Sequence, residues 1–153
     1  DERDEAWLRS QLNMMTSAGR LSGEQMQSIR IRDIADMVFS NLGLRMAEAD
    51  RRHELYREAQ FVMGVPVSAL YPEVDSETVL IQGIIDAYFE ENGELILLDY
   101  KTDHVSKQDG ADILKKRYKR QLDDYQQALE QMLQKKVRQK LIYSFALKCW
   151  IEI

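Results

Sequence analysis

Apolar residues recur at helical spacing through the first third of the chain and in strand-like runs from Leu55 onward. Trp7, Leu8, Leu12, Met14 and Met15 predict a helix from Glu2 to about Ala18, ended by Gly19. Ser22-Gly-Glu-Gln25 has the form of a capping box, in which a serine hydroxyl and a glutamine side chain each satisfy a free backbone N–H. It predicts a second helix through Met26, Ile29, Ile34, Met37, Val38 and Phe39, ended at Gly43, and Arg45 to about Arg52 predicts a short third one. The methionines at this spacing read as packing residues.

From Leu55 the pattern becomes strands. Leu55–Met63 and Val65–Leu70 flank Gly64, and Pro66 implies an edge or a bulge, because proline cannot donate to a ladder. Tyr71-Pro-Glu-Val-Asp-Ser-Glu reads as a loop. Two apolar runs follow, Ile81–Phe89 and Leu95–Lys101, separated by Asn92-Gly93, the pair that accepts positive φ at both centres of a type I′ hairpin turn. A long helix is expected from about Asp109 to Gln134, with Ile113, Tyr118, Leu122, Tyr125, Leu129 and Met132 on or near one face. Leu141–Phe145 and Cys149–Ile153 supply closing strands. The sum is an α/β fold, a mixed sheet with helices packed against it, preceded by a helical segment over residues 1–53 and with its core over 54–153.

The hairpin carries the candidate chemistry. With Asn92-Gly93 as the loop, Glu91 faces Glu94, Phe89 faces Ile96 and, counting on, Asp86 faces Asp99. Directly opposite residues share a face with Cβ atoms about 4.5–5.5 Å apart, and Lys101 lies on the same face as Asp99. Two carboxylates so placed repel, and each raises the other's pKa unless a cation lies between them, so a divalent metal would turn a cost into a site. The plain alternative is a solvated pair at strand ends. Each Asp, however, interrupts an apolar run instead of sitting in the turn, and aspartate is depleted in strands.

Composition narrows the field. The 153 residues, 44% of them hydrophobic, suffice for one good core. No apolar run reaches the roughly 18 residues of a membrane span, and Asp1-Glu-Arg-Asp-Glu has no signal-peptide character, so no membrane association and a cytoplasmic location are expected. Cys149 is the one cysteine, which excludes internal disulfides and a four-thiolate iron–sulfur cluster; its position between Lys148 and Trp150 predicts a small buried core residue. No G-x-x-x-x-G-K-[ST] loop is present for ATP. The net charge of −5 argues against a domain that finds DNA unaided, although Lys115-Lys-Arg117 and Lys119-Arg120 form a local basic cluster that reads either as a solvated helix face or as a DNA path.

Gly83-Ile-Ile-Asp86, Leu98-Asp99-Tyr100-Lys101-Thr102-Asp103 and Gln121-Leu-Asp-Asp-Tyr125 together resemble the RecB-like branch of the PD-(D/E)xK nucleases, from about Tyr56 to the end of the chain. Arg57-Glu58-Ala-Gln-Phe61 and Tyr143-Ser-Phe-Ala-Leu147 extend the likeness to the C-terminal nuclease domain of AddA-type helicase–nucleases. The resemblance implies a restriction-endonuclease-like sheet. It implies Mg²⁺ or Mn²⁺ on Asp86, Asp99 and the Tyr100 backbone carbonyl, and Lys101 acting on the attacking water or the developing charge. Gln121 and Tyr125, four apart on a helix, would position DNA. Without that context they would read as a boundary residue and a core residue.

One departure concerns the metal. RecB-like nucleases also carry a histidine ligand on a helix well upstream, and neither His53, in Asp50-Arg-Arg-His-Glu-Leu, nor His104, on a polar loop, matches its motif. The expectation is a fragment that begins after that helix, with a metal site short of one ligand. The implied function is a magnesium-dependent DNA exonuclease domain that degrades single strands delivered by an ATP-driven motor outside this chain, with AddB as the partner protein, in double-strand-break repair. Two other classes stay open: a nuclease-fold module used for docking or structure, and a stand-alone RecB-like exonuclease or restriction-type endonuclease.

Overall fold

The computed structural model describes residues 2–67 and 78–153, in the order α1 (Glu2–Ser17), α2 (Gly23–Ser28), α3 (Ile31–Val38), α4 (Asn41–Arg51), β1 (Leu55–Pro66), β2 (Thr78–Glu91), β3 (Glu94–Lys101), α5 (Gly110–Leu133), β4 (Val137–Ser144) and β5 (Cys149–Glu152). The chain forms two compact units, one ending at Glu48 and one running from Ala49 to Ile153. The loop expected over residues 71–77, and the last part of the run expected to reach Leu70, lie outside the described residues.

In the first unit, α1 stops as expected: Gly19 takes φ +69° and Arg20 N–H closes back on Met15 O, a left-handed helix end that glycine adopts without a Cβ penalty. The capping box forms, with Gln25 N–H donating to Ser22 Oγ at 3.1 Å and Ser22 N–H to Gln25 Oε1 at 2.8 Å. It opens a shorter helix than expected, because Ile29 and Arg30 are extended (ψ 122° and 96°) and split the second helix into α2 and α3. The β-branched Ile29 and Ile31 weaken helix continuity there, with no glycine or proline to announce the break.

Gly43 likewise does not end a helix. It is the third residue of α4, which starts four residues before the expected Arg45. Its N–H donates to Ser40 Oγ at 3.0 Å, and a Cβ there would stand 2.2 Å from the Val38 carbonyl oxygen, so glycine permits a close backbone approach. Leu8 is buried in α1, while Trp7 is exposed and meets Phe39 edge-on at 6.2 Å between ring centroids.

The second unit is built on one five-stranded sheet in the order β1-β2-β3-β4-β5. All neighbours are antiparallel except β3 and β4, whose parallel pairing is reached through α5, the long crossover such a pair demands. β1 runs straight through Gly64, which pairs with Leu80, instead of breaking into two strands; it is an edge strand and Pro66 is its last residue.

Phe61, Met63, Ile85, Leu95, Leu97 and Ile142 from the sheet and Leu122, Ala128 and Leu129 from α5 form the core cluster, in which burying a large apolar side chain contributes about 1.5–3 kcal/mol. The buried stripe of α5 passes through Leu114, Leu122 and Leu129. Ile113 and Met132, expected on that face, lie off the stripe and are exposed. Cys149 is also exposed, as the first residue of edge strand β5 directly after the turn from β4, and not the buried residue expected of it. No described helix is long and apolar enough to cross a membrane.

Candidate active site

The β2–β3 hairpin forms as its sequence predicts. Asn92 (φ 56°) and Gly93 (φ 81°) take the two left-handed conformations of the turn, Glu91 pairs with Glu94 and Phe89 with Ile96. The ladder then ends at Ala87↔Leu98, one step short of the expected Asp86↔Asp99 pair. Beyond that step β3 continues on β4, with Asp99 opposite Ile142 and Lys101 opposite Ser144. On the other flank of Asp86, Arg57↔Ala87 and Ala59↔Ile85 pair, but Glu58, between them, has φ +50°, a conformation few non-glycine residues adopt, and the ladder skips the step.

Asp86 therefore lies where both ladders lapse. Its Oδ2 accepts the Tyr100 backbone N–H at 2.9 Å, which ties β2 to β3 past the last ladder pair.

Asp99, at 2% exposure, is one of two buried polar residues among those described, and its carboxylate is ion-paired with Lys101 Nζ. Burial pushes the Asp99 carboxyl above the ordinary carboxylate range; the Lys101 ammonium opposes the shift, and the nearby charges of Asp86 and Asp103 add to it. Burial likewise raises the Tyr100 phenol. Lys101 donates to Gln121 Oε1 at 3.1 Å, and Gln121 Nε2 donates to the Tyr125 hydroxyl at 2.8 Å. Tyr125 meets Phe61 edge-on at 5.5 Å. The residues singled out in sequence thus join into one connected group: Asp86 to Tyr100, Asp99 to Lys101, Lys101 to Gln121 and Gln121 to Tyr125.

Gly83 explains how α5 comes so close. A Cβ at this position would stand 2.8 and 2.9 Å from two carbons of the Phe61 ring and 3.7 Å from the Tyr125 ring. Glycine in β2 lets the aromatic pair seat and so sets the depth of Tyr125 and Gln121 over the sheet.

Tyr118 and Asp103 also belong to the group, and no role was assigned to either from sequence. Lys101 Nζ lies 4.2 Å from the centroid of the Tyr118 ring. The Tyr118 hydroxyl is 2.9 and 2.8 Å from the two Asp103 carboxylate oxygens, and Arg117 donates to the same carboxylate. The Tyr118 hydroxyl first, and Arg117 after it, hold the Asp103 carboxyl below its usual range, while burial and the Asp103 charge raise the Tyr118 phenol. The signal was available: Tyr118 precedes Gln121 by three and Tyr125 by seven, the spacing of one helix face.

His53 falls in the turn between α4 and β1 with φ 59°, its N–H on Asp50 O, and His104 is exposed after β3. Among the described residues no three of His, Cys, Asp and Glu gather as a metal-holding group. Asp86 and Asp99 alone still suit a hard divalent cation that keeps several waters, because both offer oxygen and Asp99 is a buried anion whose ion-pair partner is an ammonium. The basic residues of α5 are exposed, with Arg117 paired to Asp103 and Lys119 to Asp123 at 2.8 Å.

Comparison with known proteins agrees with this geometry. The PD-(D/E)XK nuclease superfamily model matches residues 2–149, a longer stretch than the resemblance from Tyr56 onward. The most similar relatives are A-type subunits of ATP-dependent helicase/nucleases. The chain is 38% identical to that of Clostridium kluyveri over 91% of its length, 38% identical to that of Bacillus pumilus over 93%, and 32% identical to that of Lachnoclostridium phytofermentans over 96%. It spans 11–13% of the length of these relatives. The chain belongs to the PD-(D/E)XK nuclease superfamily and is a nuclease domain homologous to a segment of these helicase/nucleases.

Proposed function

We propose that this domain hydrolyses DNA phosphodiesters in a divalent-metal-dependent reaction, with Asp86, Asp99 and Lys101 as its catalytic residues. The observation that carries the reading is the convergence of these three side chains where β2 and β3 part, with the buried Asp99 ion-paired to Lys101. Asp86, Asp99 and the Tyr100 backbone carbonyl would hold Mg²⁺ or Mn²⁺. Such an ion lowers the pKa of bound water and neutralises charge on the phosphate. Lys101 supplies an ammonium for the attacking water or for charge that develops in the transition state, a role worth about 10²–10³ in rate for a well-placed donor. Gln121 holds that ammonium from α5, and Gln121 and Tyr125 together position the DNA strand beside it.

The acidic composition and the helicase/nuclease relatives support an exonuclease that acts on single strands delivered by an ATP-driven motor outside this chain, with AddB as the partner protein, in cytoplasmic repair of double-strand breaks. The test is cleavage of end-labelled single-stranded DNA with Mg²⁺ or Mn²⁺, by this domain and by a full-length helicase/nuclease that contains it. Lys101→Ala should cut at least about 10²-fold more slowly while the motor still unwinds. Equal cleavage by the variant would overturn the assignment.

A further inference from the structure

Lys101 has a single ammonium and three sets of neighbours. Asp99 and Gln121 take it from two directions by ion pair and hydrogen bond. From a third, the face of Tyr118 lies 4.2 Å from Nζ. An aromatic face attracts a cation most strongly where water is excluded, and the Lys101 side chain is only 13% exposed. The ring is itself anchored at its far end: its hydroxyl reaches both oxygens of Asp103, a carboxylate that Arg117 also holds.

We infer that Tyr118 is a positioning residue that acts through Lys101, its ring fixing the ammonium and its hydroxyl, tethered to Asp103, fixing the ring. Asp103 is two residues beyond Lys101 on the strand exit, and Tyr118 is one turn before Gln121 on α5. The tether therefore binds the segment that bears the lysine to the helix that bears its amide partner. The ammonium is held by two groups whose charges or dipoles point at it and by one that limits its swing. If a metal took over Asp99, Gln121 and the Tyr118 face would remain to hold Lys101. This inference rests on the nuclease reading above.

The test compares Tyr118→Phe with Tyr118→Leu. Phenylalanine keeps the face and loses the tether; leucine fills similar space and loses the face. The first readout is independent of activity: the Lys101 Hε protons, shielded by the ring, should be shifted upfield in the NMR spectrum of the native protein and of Tyr118→Phe, and should return to ordinary lysine positions in Tyr118→Leu. The second is metal-dependent DNA cleavage, in which Tyr118→Leu should lose about tenfold in kcat with little change in KM for DNA, and Tyr118→Phe should stay within about threefold of native. Folded-state circular dichroism and melting of each variant separate loss of fold from loss of placement. Upfield Lys101 protons that persist in Tyr118→Leu, or equal losses in the two variants, would overturn the inference. Failure of native protein and Lys101→Ala alike to cleave would instead count against the nuclease reading, leaving the NMR comparison to decide the placement of Lys101.

Discussion

The Tyr100 backbone N–H donates to Asp86 Oδ2 at 2.9 Å, across the point where β2 and β3 cease to pair. A carboxylate takes the place of a strand carbonyl, so the hairpin stays joined while its two strands diverge. The divergence spares Asp86 and Asp99 the close opposition of a ladder pair, in which like charges are destabilising. It leaves them near enough that the Asp86 charge still contributes to the raised pKa of Asp99.

Gly83→Ala tests whether the close seat of α5 depends on a missing side chain. The added Cβ would press on the buried ring of Phe61 at 2.8 Å, and overpacking of this kind costs about 1–3 kcal/mol. Denaturant unfolding should show a lower midpoint with an unchanged slope. A variant as stable as the native protein would mean that Phe61 yields freely and that Gly83 does not set the position of Tyr125.

Much of this arrangement was legible in sequence because it is local. The Asn92-Gly93 turn fixes the hairpin register by two φ angles, the Ser22/Gln25 box fixes a helix start by two hydrogen bonds, and a four-residue separation puts Gln121 and Tyr125 on one face. What was not legible depends on partners distant in the chain. The ladder lapses at Asp86 because of Glu58 on one side and the departure of β3 toward β4 on the other. Gly43 read as a helix terminator, yet its role is set by the Val38 carbonyl in the preceding helix. The rotation of α5 that buries Leu114 and exposes Ile113 is a difference of one residue, which periodicity does not resolve at a helix end.

The Asp103 carboxyl supplies a pH prediction. Its folded-state pKa lies below the unfolded value, because the Tyr118 hydroxyl and then Arg117 favour the charged form. Its contribution to stability is therefore complete above the ordinary aspartate pKa of about 3.9 and is lost as pH falls from there through the lowered value. Asp103→Asn should flatten the fall in melting temperature over that acidic window relative to native protein. Parallel melting-temperature curves for the two proteins would show that Asp103 gains nothing from its partners.

The central claim, that Asp86 and Asp99 form one metal site, is tested most directly by calorimetric titration of the chain with Mn²⁺ beside its Asp99→Ala variant, with circular dichroism to verify that both are folded. The account predicts saturable binding of one ion by the native chain, lost in the variant. Identical titrations of the two, or no binding by the native chain, would contradict it.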